Sequence, residues 1–201
     1  MADLDIANNR GATKYPRKVQ AMRVLWEYLG QPLFHCIPRP MFPIRAALLR
    51  AFGARIGRNV NIHPNVRIEM PWNLEIGDWS AIGDSAFIYS LGQITIGKRA
   101  TISHRAHLCA GTHDYRDPAL PLLRPPITIG DQVWVCAEAF IGPNVSIGEG
   151  AVVGAAAVVM KNVAAWDVMS GNPAIVVKKR ILQSDSAPRT EAAPLSQPAG
   201  Q

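Results

Sequence analysis

Residues 101–135 read TISHRAHLCAGTHDYRDPALPLLRPPITIGDQVWV. A six-residue rhythm enters this stretch and leaves it again, with Ile102 inside the first part and Ile129 inside the second. Between Gly111 and Pro126 the rhythm stops at a segment rich in proline and charge, with His113 near its start. A repeat with one large interruption indicates a rigid scaffold into which a loop has been inserted. The loop is therefore the first place to look for chemistry.

The rhythm extends from Ile56 to Val159. Its fifteen inward positions are all Ile, Val or Leu: Ile56, Ile62, Ile68, Ile76, Ile82, Ile88, Ile96, Ile102, Leu108, Ile129, Val135, Ile141, Ile147, Val153 and Val159. The residue four positions later is small or Val in every case except Trp72. Residues two apart on a strand point the same way, so small and aliphatic side chains enter one interior. Three such sides close a triangular coil, and about five coils stack into a prism. Glycine often follows the aliphatic residue, where we expect corners with positive φ.

This repeat resembles the hexapeptide motif of left-handed β-helix acyltransferases over residues 52–180. The resemblance implies an all-β solenoid: a left-handed parallel β-helix of about five triangular coils with an N-terminal helical segment. The left hand comes from the resemblance alone, because the general crossover rule favours right-handed connections. Three stretches, LLRAFGARIG, LCAGTHDYRDP and GNPAIVVKKR, are similar to colanic-acid-type acetyltransferases of bacterial exopolysaccharide biosynthesis.

Composition and pattern divide the chain into four parts. Residues 1–55 form a lead-in that is extended to residue 16, followed by helices at 17–34 and 44–52. Residues 56–166 form the β-helix with the inserted loop 111–127, and residues 167–183 cap its open end. Residues 184–201 contain three prolines and almost no large apolar side chain, which predicts a disordered tail.

His113 is the candidate general base. In sugar O-acetyltransferases of this fold, the segment similar to ISHRAHLCAGTHD ends in the histidine that activates the acceptor hydroxyl, and imidazole suits that task near neutral pH. The alternative is that His113 only caps the loop. Asp114 or Asp117 could orient the other ring nitrogen, although an ordinary turn role fits both equally well. Relatives place an Asn one coil below; the counterpart here is Asp84-Ser85-Ala86, which leaves the oxyanion to Ser85 or to a backbone N–H.

The same resemblance implies contacts with acetyl-CoA as co-substrate. Trp134 matches the family tryptophan that lines the channel for acceptor and pantetheine, and we expect it to face outward. Ala137 and Ala155 lie near positions whose backbone groups meet pantetheine. Their small side chains permit close approach, but they fit a tight core as well.

Three lysines near the C-terminal end resemble the basic residues that meet the phosphates of coenzyme A. They are Lys161, Lys178 and Lys179. A solvated basic end explains each of them nearly as well. The resemblance also implies a homotrimer with active sites in the clefts between subunits.

The net charge of +6 belongs to the N-terminal part of the chain. Residues 1–58 hold ten Lys and Arg against three acidic residues, whereas residues 59–201 hold eleven basic and twelve acidic residues. With Trp26 and Tyr28, this basic segment would suit a membrane surface. The alternative is a helix packed on the β-helix body or on a neighbouring subunit. No apolar run approaches the roughly 20 residues of a membrane span.

Several functional classes find no support in the sequence. The spacings of His104, His107 and His113 do not match the three-histidine zinc sites of other left-handed β-helix proteins, so we expect no metal. The three cysteines lack metal or disulfide spacing and indicate reduced thiols in a cytosolic protein. There is no P-loop, dinucleotide fingerprint or GxSxG. We expect no nucleic-acid partner.

Together these features predict an acetyl-CoA-dependent O-acetyltransferase that acts on a sugar or lipid-linked saccharide in exopolysaccharide biosynthesis. We expect it in the cytoplasm, with peripheral contact at the inner face of the membrane as an option. Two alternatives stay open: another small hydroxyl acceptor, such as an antibiotic or a serine, and a catalytically inert β-helix scaffold.

Overall fold

The N-terminal part of the chain is helical, as predicted. The computed structural model describes residues 3–183, so the tail predicted at 184–201 lies outside it. The helices are α1 (Ile6–Gly11), α2 (Arg17–Leu25), a π-helical turn (Trp26–Gly30), α3 (Gln31–Cys36) and α4 (Phe42–Ala51). The extended lead-in predicted up to residue 16 is wrong for α1, which Asp5 begins by accepting the N–H of Asn8 on its side chain.

The π-helical turn keeps one face of the helix on the prism. The three buried residues of this segment, Trp26, Gly30 and Phe34, are four positions apart. A π-turn contains more residues than an α-turn, so residues spaced by four lie on the same face of the helix. Trp26 packs edge-on against Phe52, with ring centroids 5.0 Å apart, and its Nε1 donates to the carbonyl of Ile68 at 2.7 Å. Gly30 leaves the space for the Trp26 ring, because a Cβ there would lie 2.3 Å from Cε3 of Trp26.

Short strands follow from Arg55 onward. In the first half they are β1 (Arg55–Ile56), β2 (Asn61–Ile62), β3 (Arg67–Ile68), β4 (Leu74–Ile76), β5 (Ala81–Ile82), β6 (Phe87–Tyr89), β7 (Ile94–Ile96), β8 (Thr101–Ile102) and β9 (His107–Cys109), with a 3-10 turn at Pro71–Asn73. In the second half they are β10 (Thr112–His113), β11 (Leu122–Leu123), β12 (Ile127–Ile129), β13 (Trp134–Val135), β14 (Phe140–Ile141), β15 (Ser146–Ile147), β16 (Val152–Val153), β17 (Val158–Val159), β18 (Asp167–Ser170) and β19 (Ile175–Lys179).

The strands stack into a left-handed β-helix with three faces. The first face holds β1, β4, β7, β12 and β15; the second holds β2, β5, β8, β13, β16 and β18; and the third holds β3, β6, β9, β14 and β17. All these pairings are parallel, and β19 returns antiparallel to β18 at the end of the second face. The prism has about six turns, slightly more than the five predicted, because Val163 bridges Ile147 on the first face and β18 pairs with β16 on the second.

The fifteen inward positions form the core, as predicted, and every one is at most 8% exposed. The stack is continuous across the inserted loop, because β12 pairs with β7 in register, Ile94 with Ile127 and Ile96 with Ile129. The loop is therefore an insertion into an intact prism.

The corners use glycine for a different reason from the one expected. Positive φ falls on ten non-glycine corner residues: Asn59, Trp79, Ser85, Arg99, Arg105, Gln132, Glu138, Asn144, Ala156 and Trp166. Seven of them stand two positions after a glycine, and Gly150 is the corner glycine that itself has positive φ, +68°. The glycine itself is needed because neighbouring coils approach closely: a Cβ on Gly77 would lie 2.7 Å from the carbonyl carbon of Gly97, and one on Gly83 would lie 2.6 Å from the backbone nitrogen of His104. Steric exclusion, not backbone torsion, selects glycine here.

We name the corners in chain order. The first corner joins the first face to the second, the second corner joins the second face to the third, and the third corner joins the third face to the next coil.

α4 closes the open end of the first coil through Arg45, which is fully buried. Its guanidinium donates to the carbonyls of Ile62 (2.7 Å), Ile37 (2.9 Å), Pro38 (2.8 Å) and Arg39 (2.6 Å).

Candidate active site

His113 lies at the third corner, on a two-stranded antiparallel ribbon formed by β10 and β11 inside the inserted loop. Its side chain is exposed, and Nδ1 lies 2.6 Å from the carbonyl oxygen of Leu120. A carbonyl oxygen can only accept a hydrogen bond, so Nδ1 carries the hydrogen. The lone pair of the neutral ring therefore sits on Nε2, as a general base requires.

Asp114 is not the partner of this imidazole. Its carboxylate accepts from the guanidinium of Arg116 at 3.0 Å and from the Arg116 backbone N–H at 3.1 Å. The Arg116 hydrogen bonds hold the pKa of Asp114 below its usual value. Asp117 accepts the backbone N–H of Ala119 at 2.8 Å, within the same loop. The turn role weighed for both aspartates is what the structure shows, and the carbonyl of Leu120 takes the orienting position.

The N-terminal segment packs against this loop, a contact that no sequence pattern predicts. The backbone N–H of Asp5 donates to the carbonyl of Pro118 at 2.8 Å. The side-chain amide of Asn9 donates to the carbonyls of Ala119 and Leu120, both at 2.6 Å. About 110 residues, including the first three coils of the prism, separate these partners in sequence, so no local pattern links them.

Ser85 lies at the second corner, away from His113. It is exposed, has φ +56°, and its Oγ donates to Asp84 at 2.9 Å. The other oxygen of Asp84 accepts the amide of Asn65 at 2.9 Å, which fixes the carboxylate. Within one chain the predicted base and the predicted oxyanion donor therefore occupy different corners.

Trp134 lies on the second face and points outward, with 46% of its surface exposed. Its Nε1 donates to Oγ of Ser103 on the neighbouring coil at 3.0 Å, which fixes the plane of the ring. A large aromatic surface held rigid in this way is suited to stacking against a ligand or a neighbouring subunit.

Ala137 and Ala155 occupy equivalent places at the second corner of consecutive coils. At the first corner, the equivalent N–H of Lys98 donates to a carboxylate oxygen of Asp131 on the next coil at 2.8 Å. Alanine offers no such acceptor, and within residues 3–183 the N–H groups of Ala137 and Ala155 make no hydrogen bond. These two amides are therefore available to the carbonyl oxygens of an extended ligand.

The three predicted phosphate-binding lysines separate in the structure. Lys161 is exposed at the third corner, and Lys178 is exposed on β19. Lys179 forms an ion pair with Asp167, with Nζ 2.6 Å from Oδ1, and Nζ also donates to the carbonyl of Ala165 at 3.2 Å. The Asp167 side chain is only 10% exposed, so Lys179 is engaged in neutralising a buried carboxylate.

An open groove of about 730 Å³ lies beside Ser85 along the second face and second corner. Its polar lining comes from Arg39, His63, Asn65, Asp84, Ser103 and His104. Donors and acceptors in such a mixture match the hydroxyl groups of a saccharide.

His107 belongs to the packing of the third face. Its ring stacks on Phe87 at 4.8 Å and meets Phe140 edge-on at 5.1 Å. Burial lowers the pKa of this imidazole, and its Nε2 has no hydrogen-bond partner within the described residues.

Among residues 3–183, no three His, Cys, Asp or Glu side chains converge as metal ligands, and no helix is long and apolar enough to cross a membrane.

The site residues thus form two groups. His113, Asp114 and Lys161 belong to the third corner, whereas Ser85, Trp134, Ala137 and Ala155 belong to the second corner and second face. The first group supplies a base and the second supplies open backbone amides beside an aromatic plane.

A family model described as "Bacterial transferase hexapeptide (six repeats)" matches residues 126–161. Over 157 residues the chain is 42% identical to WcaF of Escherichia coli strain K12, a protein assigned as an acetyltransferase of colanic acid biosynthesis. That match covers 78% of this chain and 86% of WcaF. The chain belongs to the hexapeptide-repeat acyltransferases. Nodulation protein L of Rhizobium leguminosarum biovar viciae is 37% identical over 133 residues, 64% of this chain and 69% of that protein.

Solved structures agree with this membership. A maltose O-acetyltransferase from Clostridium difficile 630 superposes with a TM-score of 0.75 at 24% identity, over 82% of this chain and 89% of that one, and shows the shared fold. The hexapeptide-repeat acetyltransferase VCA0836 of Vibrio cholerae, solved in complex with acetyl coenzyme A, superposes with a TM-score of 0.74 at 25% identity, over 83% and 91% of the two chains.

Proposed function

We propose that this protein transfers an acetyl group from acetyl-CoA to a hydroxyl of a sugar or lipid-linked saccharide, in bacterial exopolysaccharide biosynthesis, with His113 as general base. The observation that carries the proposal is the 2.6 Å contact between Nδ1 of His113 and the carbonyl of Leu120. It selects the tautomer with a free Nε2 on an exposed ring, at the edge of a rigid scaffold. The identity to WcaF supports the exopolysaccharide context.

The chemistry follows from that free nitrogen. Nε2 of His113 takes the proton of the acceptor hydroxyl as its oxygen attacks the thioester carbonyl of acetyl-CoA, and a C–O bond forms. The resulting tetrahedral oxyanion needs a hydrogen-bond donor, either Oγ of Ser85 or a backbone N–H. When the intermediate collapses, the C–S bond breaks, and the imidazolium returns its proton to the departing thiolate of coenzyme A. General-base help of this kind contributes roughly 10²- to 10⁴-fold.

Acetyl-CoA fits the second group of residues. The open N–H groups of Ala137 and Ala155 are spaced one coil apart along the prism and suit the amide carbonyls of pantetheine. The exposed plane of Trp134 would line the same channel. Lys161 and Lys178 remain as candidates for the phosphates, whereas Lys179 is paired with Asp167. The groove of about 730 Å³ beside Ser85 would take the saccharide.

A homotrimer would bring the two groups together. One chain places His113 at the third corner and Trp134, Ala137 and Ala155 on the second face and second corner, so a complete site needs the third corner of one subunit against the second corner of another. The test mixes subunits carrying His113→Ala with subunits carrying Ala155→Asp, each inactive alone. Random reassembly of equal amounts should restore about a quarter of the activity, because one interface in four pairs two intact halves. No recovery from reassembled mixtures would place the whole site in one chain.

The outer face of the N-terminal helices would contact an anionic lipid surface. Val24, Leu25, Tyr28, Leu29 and Leu33 are each at least 50% exposed, on the side away from the prism. The preceding part of α2 carries Arg17 and Lys18, which belong to the basic excess of residues 1–58 and match the charge of anionic lipids.

In a cosedimentation assay with vesicles of phosphatidylglycerol and phosphatidylcholine, the wild-type protein and the control variant Val177→Asp should therefore pellet with the lipid. The Leu29→Asp variant should stay in the supernatant. If Leu29→Asp instead changes the oligomeric state on size-exclusion chromatography and leaves lipid binding intact, the outer face of the N-terminal helices packs against another subunit.

The central experiment measures release of coenzyme A thiol over a panel of sugar acceptors. His113→Ala should abolish turnover while calorimetric binding of coenzyme A stays within twofold of wild type. Asp114→Asn serves as the matched control, because its carboxylate contacts Arg116 and not the imidazole. Wild-type turnover by His113→Ala would refute the assignment of the base. A panel that includes serine and an aminoglycoside tests the other acceptor classes.

A further inference from the structure

We propose that Asn9 is a positioning residue for the base: its side-chain amide fixes the Leu120 carbonyl that sets the tautomer and direction of His113. The inference rests on the proposed role of His113. It assigns to the N-terminal helix α1 a part in catalysis that the repeat itself does not supply.

The Leu120 carbonyl is the shared point of contact. It accepts from Nδ2 of Asn9 and lies against Nδ1 of His113, both at 2.6 Å. The same Nδ2 donates to the neighbouring carbonyl of Ala119 at 2.6 Å. One side chain thus holds two successive peptide groups of the loop, and the second of them faces the imidazole.

The orientation of the Asn9 amide is fixed by Lys14. Nζ of Lys14 donates to Oδ1 of Asn9 at 3.1 Å, and an ammonium group can only donate. Oδ1 must therefore face Lys14, and Nδ2 must face the loop. Arg124, at the far end of the loop, donates to the backbone carbonyl of Lys14 and stacks over the ring of Tyr15 at 4.1 Å. Residues 9–15 and the inserted loop therefore contact each other at two places, in the middle of the loop at Ala119 and Leu120 and near its C-terminal end at Arg124.

The loop needs this support because Leu120 has φ +45°. A leucine in the left-handed region persists only where its surroundings impose that conformation. Among the described residues, the side-chain amide of Asn9 is the group outside the loop that donates a hydrogen bond to the Leu120 carbonyl. Without it we expect Leu120 to relax toward negative φ and to turn its carbonyl away from Nδ1.

The consequence is chemical as well as mechanical. Without a carbonyl acceptor, nothing favours the Nδ1–H tautomer, and free imidazole in histidine prefers hydrogen on Nε2. A fraction of the enzyme would then present an N–H where the reaction needs a lone pair. Removing one neutral hydrogen bond of this kind should lower kcat roughly threefold to tenfold.

The test compares Asn9→Ala with Asn8→Ala, a neighbouring asparagine of α1 whose side chain is exposed. Imidazole tautomers are read from long-range ¹H–¹⁵N spectra of histidine-labelled protein without substrate, and His113→Ala assigns the signal. Wild type and Asn8→Ala should show His113 as the Nδ1–H tautomer. Asn9→Ala should show a mixture, with lowered kcat and an unchanged KM for acetyl-CoA. The Asp5–Pro118 hydrogen bond joins backbone groups, so neither asparagine substitution removes it and it remains available to hold α1 on the loop.

A second variant, Asn9→Asp, keeps the size but sets a carboxylate oxygen against two carbonyl oxygens, so kcat should fall further than in Asn9→Ala. A wild-type tautomer in Asn9→Ala overturns the proposal, whether or not kcat falls, because the effect would not pass through the imidazole. The tautomer is read without turnover. A failure of the acetyltransferase assignment would instead appear as a wild-type protein that releases no coenzyme A with any acceptor.

Discussion

Replacing Lys179 by Met distinguishes a structural lysine from a ligand-binding one. Its partner Asp167 lies at the start of β18 with a side chain only 10% exposed, and the ammonium group sits 2.6 Å from Oδ1. Losing one partner of a fully buried ion pair costs about 3–5 kcal/mol, whereas an exposed pair contributes about 0–1 kcal/mol. The Lys179 side chain is 62% exposed, so water compensates part of the loss. We expect Lys179→Met to lower the free energy of unfolding by about 2 kcal/mol.

The assay is urea unfolding at fixed protomer concentration, because assembly contributes to the measured stability. Lys178→Met is the control: Lys178 is the exposed neighbour on the same strand, and its loss should change stability by less than about 0.5 kcal/mol. The double variant Asp167→Asn with Lys179→Met should recover most of the loss, since the buried charge is gone. Coenzyme A affinity of Lys179→Met should stay within about twofold of wild type, because a lost phosphate contact would cost tenfold or more. Wild-type stability combined with a tenfold weaker affinity would refute the structural role.

Two further changes probe the core and the pH response. Gly30→Ala places a Cβ 2.3 Å from Cε3 of Trp26 and should lower the free energy of unfolding, measured in urea, by about 2–3 kcal/mol. The control Gly11→Ala, where a Cβ would meet nothing within 4 Å, should be nearly neutral. Equal stabilities of the two variants would contradict the close packing at Gly30. Burial lowers the pKa of His107 from 6.5, so its neutral form is favoured in the folded protein and stability is lost as pH falls below that value. His107→Phe keeps the stack on Phe87, and in this variant the urea midpoint should fall less between pH 7.5 and pH 5.5 than in the wild type. An unchanged fall would show that other groups cause the pH dependence.

The sequence was sufficient for the scaffold because the scaffold is periodic. Each inward aliphatic residue repeats a local rule, and all fifteen are buried. Phase across the loop was also readable, since β12 resumes in register with β7. The reason for glycine at the corners was not readable. Both positive φ and close approach select glycine, and only the packing of Gly77 against Gly97 separates the two causes.

The candidate site was predicted less completely, because its decisive contacts join distant segments. The resemblance points to His113, and carboxylates orient the imidazole in triad-like sites, which makes Asp114 or Asp117 a candidate partner in the sequence. A residue next in sequence on an extended ribbon points to the opposite side, so Asp114 reaches Arg116 instead. Asn9 and Leu120 meet only because α1 folds back over the loop. Lys179 shows the same effect, since its carboxylate partner becomes visible only when β19 pairs with β18.

The division of the site between scaffold and loop has a consequence for specificity. The amides of Ala137 and Ala155 lie at corners of the coil ladder, where neighbouring coils approach closely: a Cβ on Gly154 would lie 2.9 Å from the carbonyl oxygen of Met169. Residues 111–126 contribute nothing to that ladder, because β7 and β12 pair directly beneath them. If the proposed site is right, substitutions in the loop can therefore change the surroundings of His113 while the contacts proposed for acetyl-CoA keep their geometry. The exception is the Leu120 carbonyl, which Asn9 ties to the N-terminal helix, so under the proposed role of His113 a loop that varies there must keep this one peptide in place.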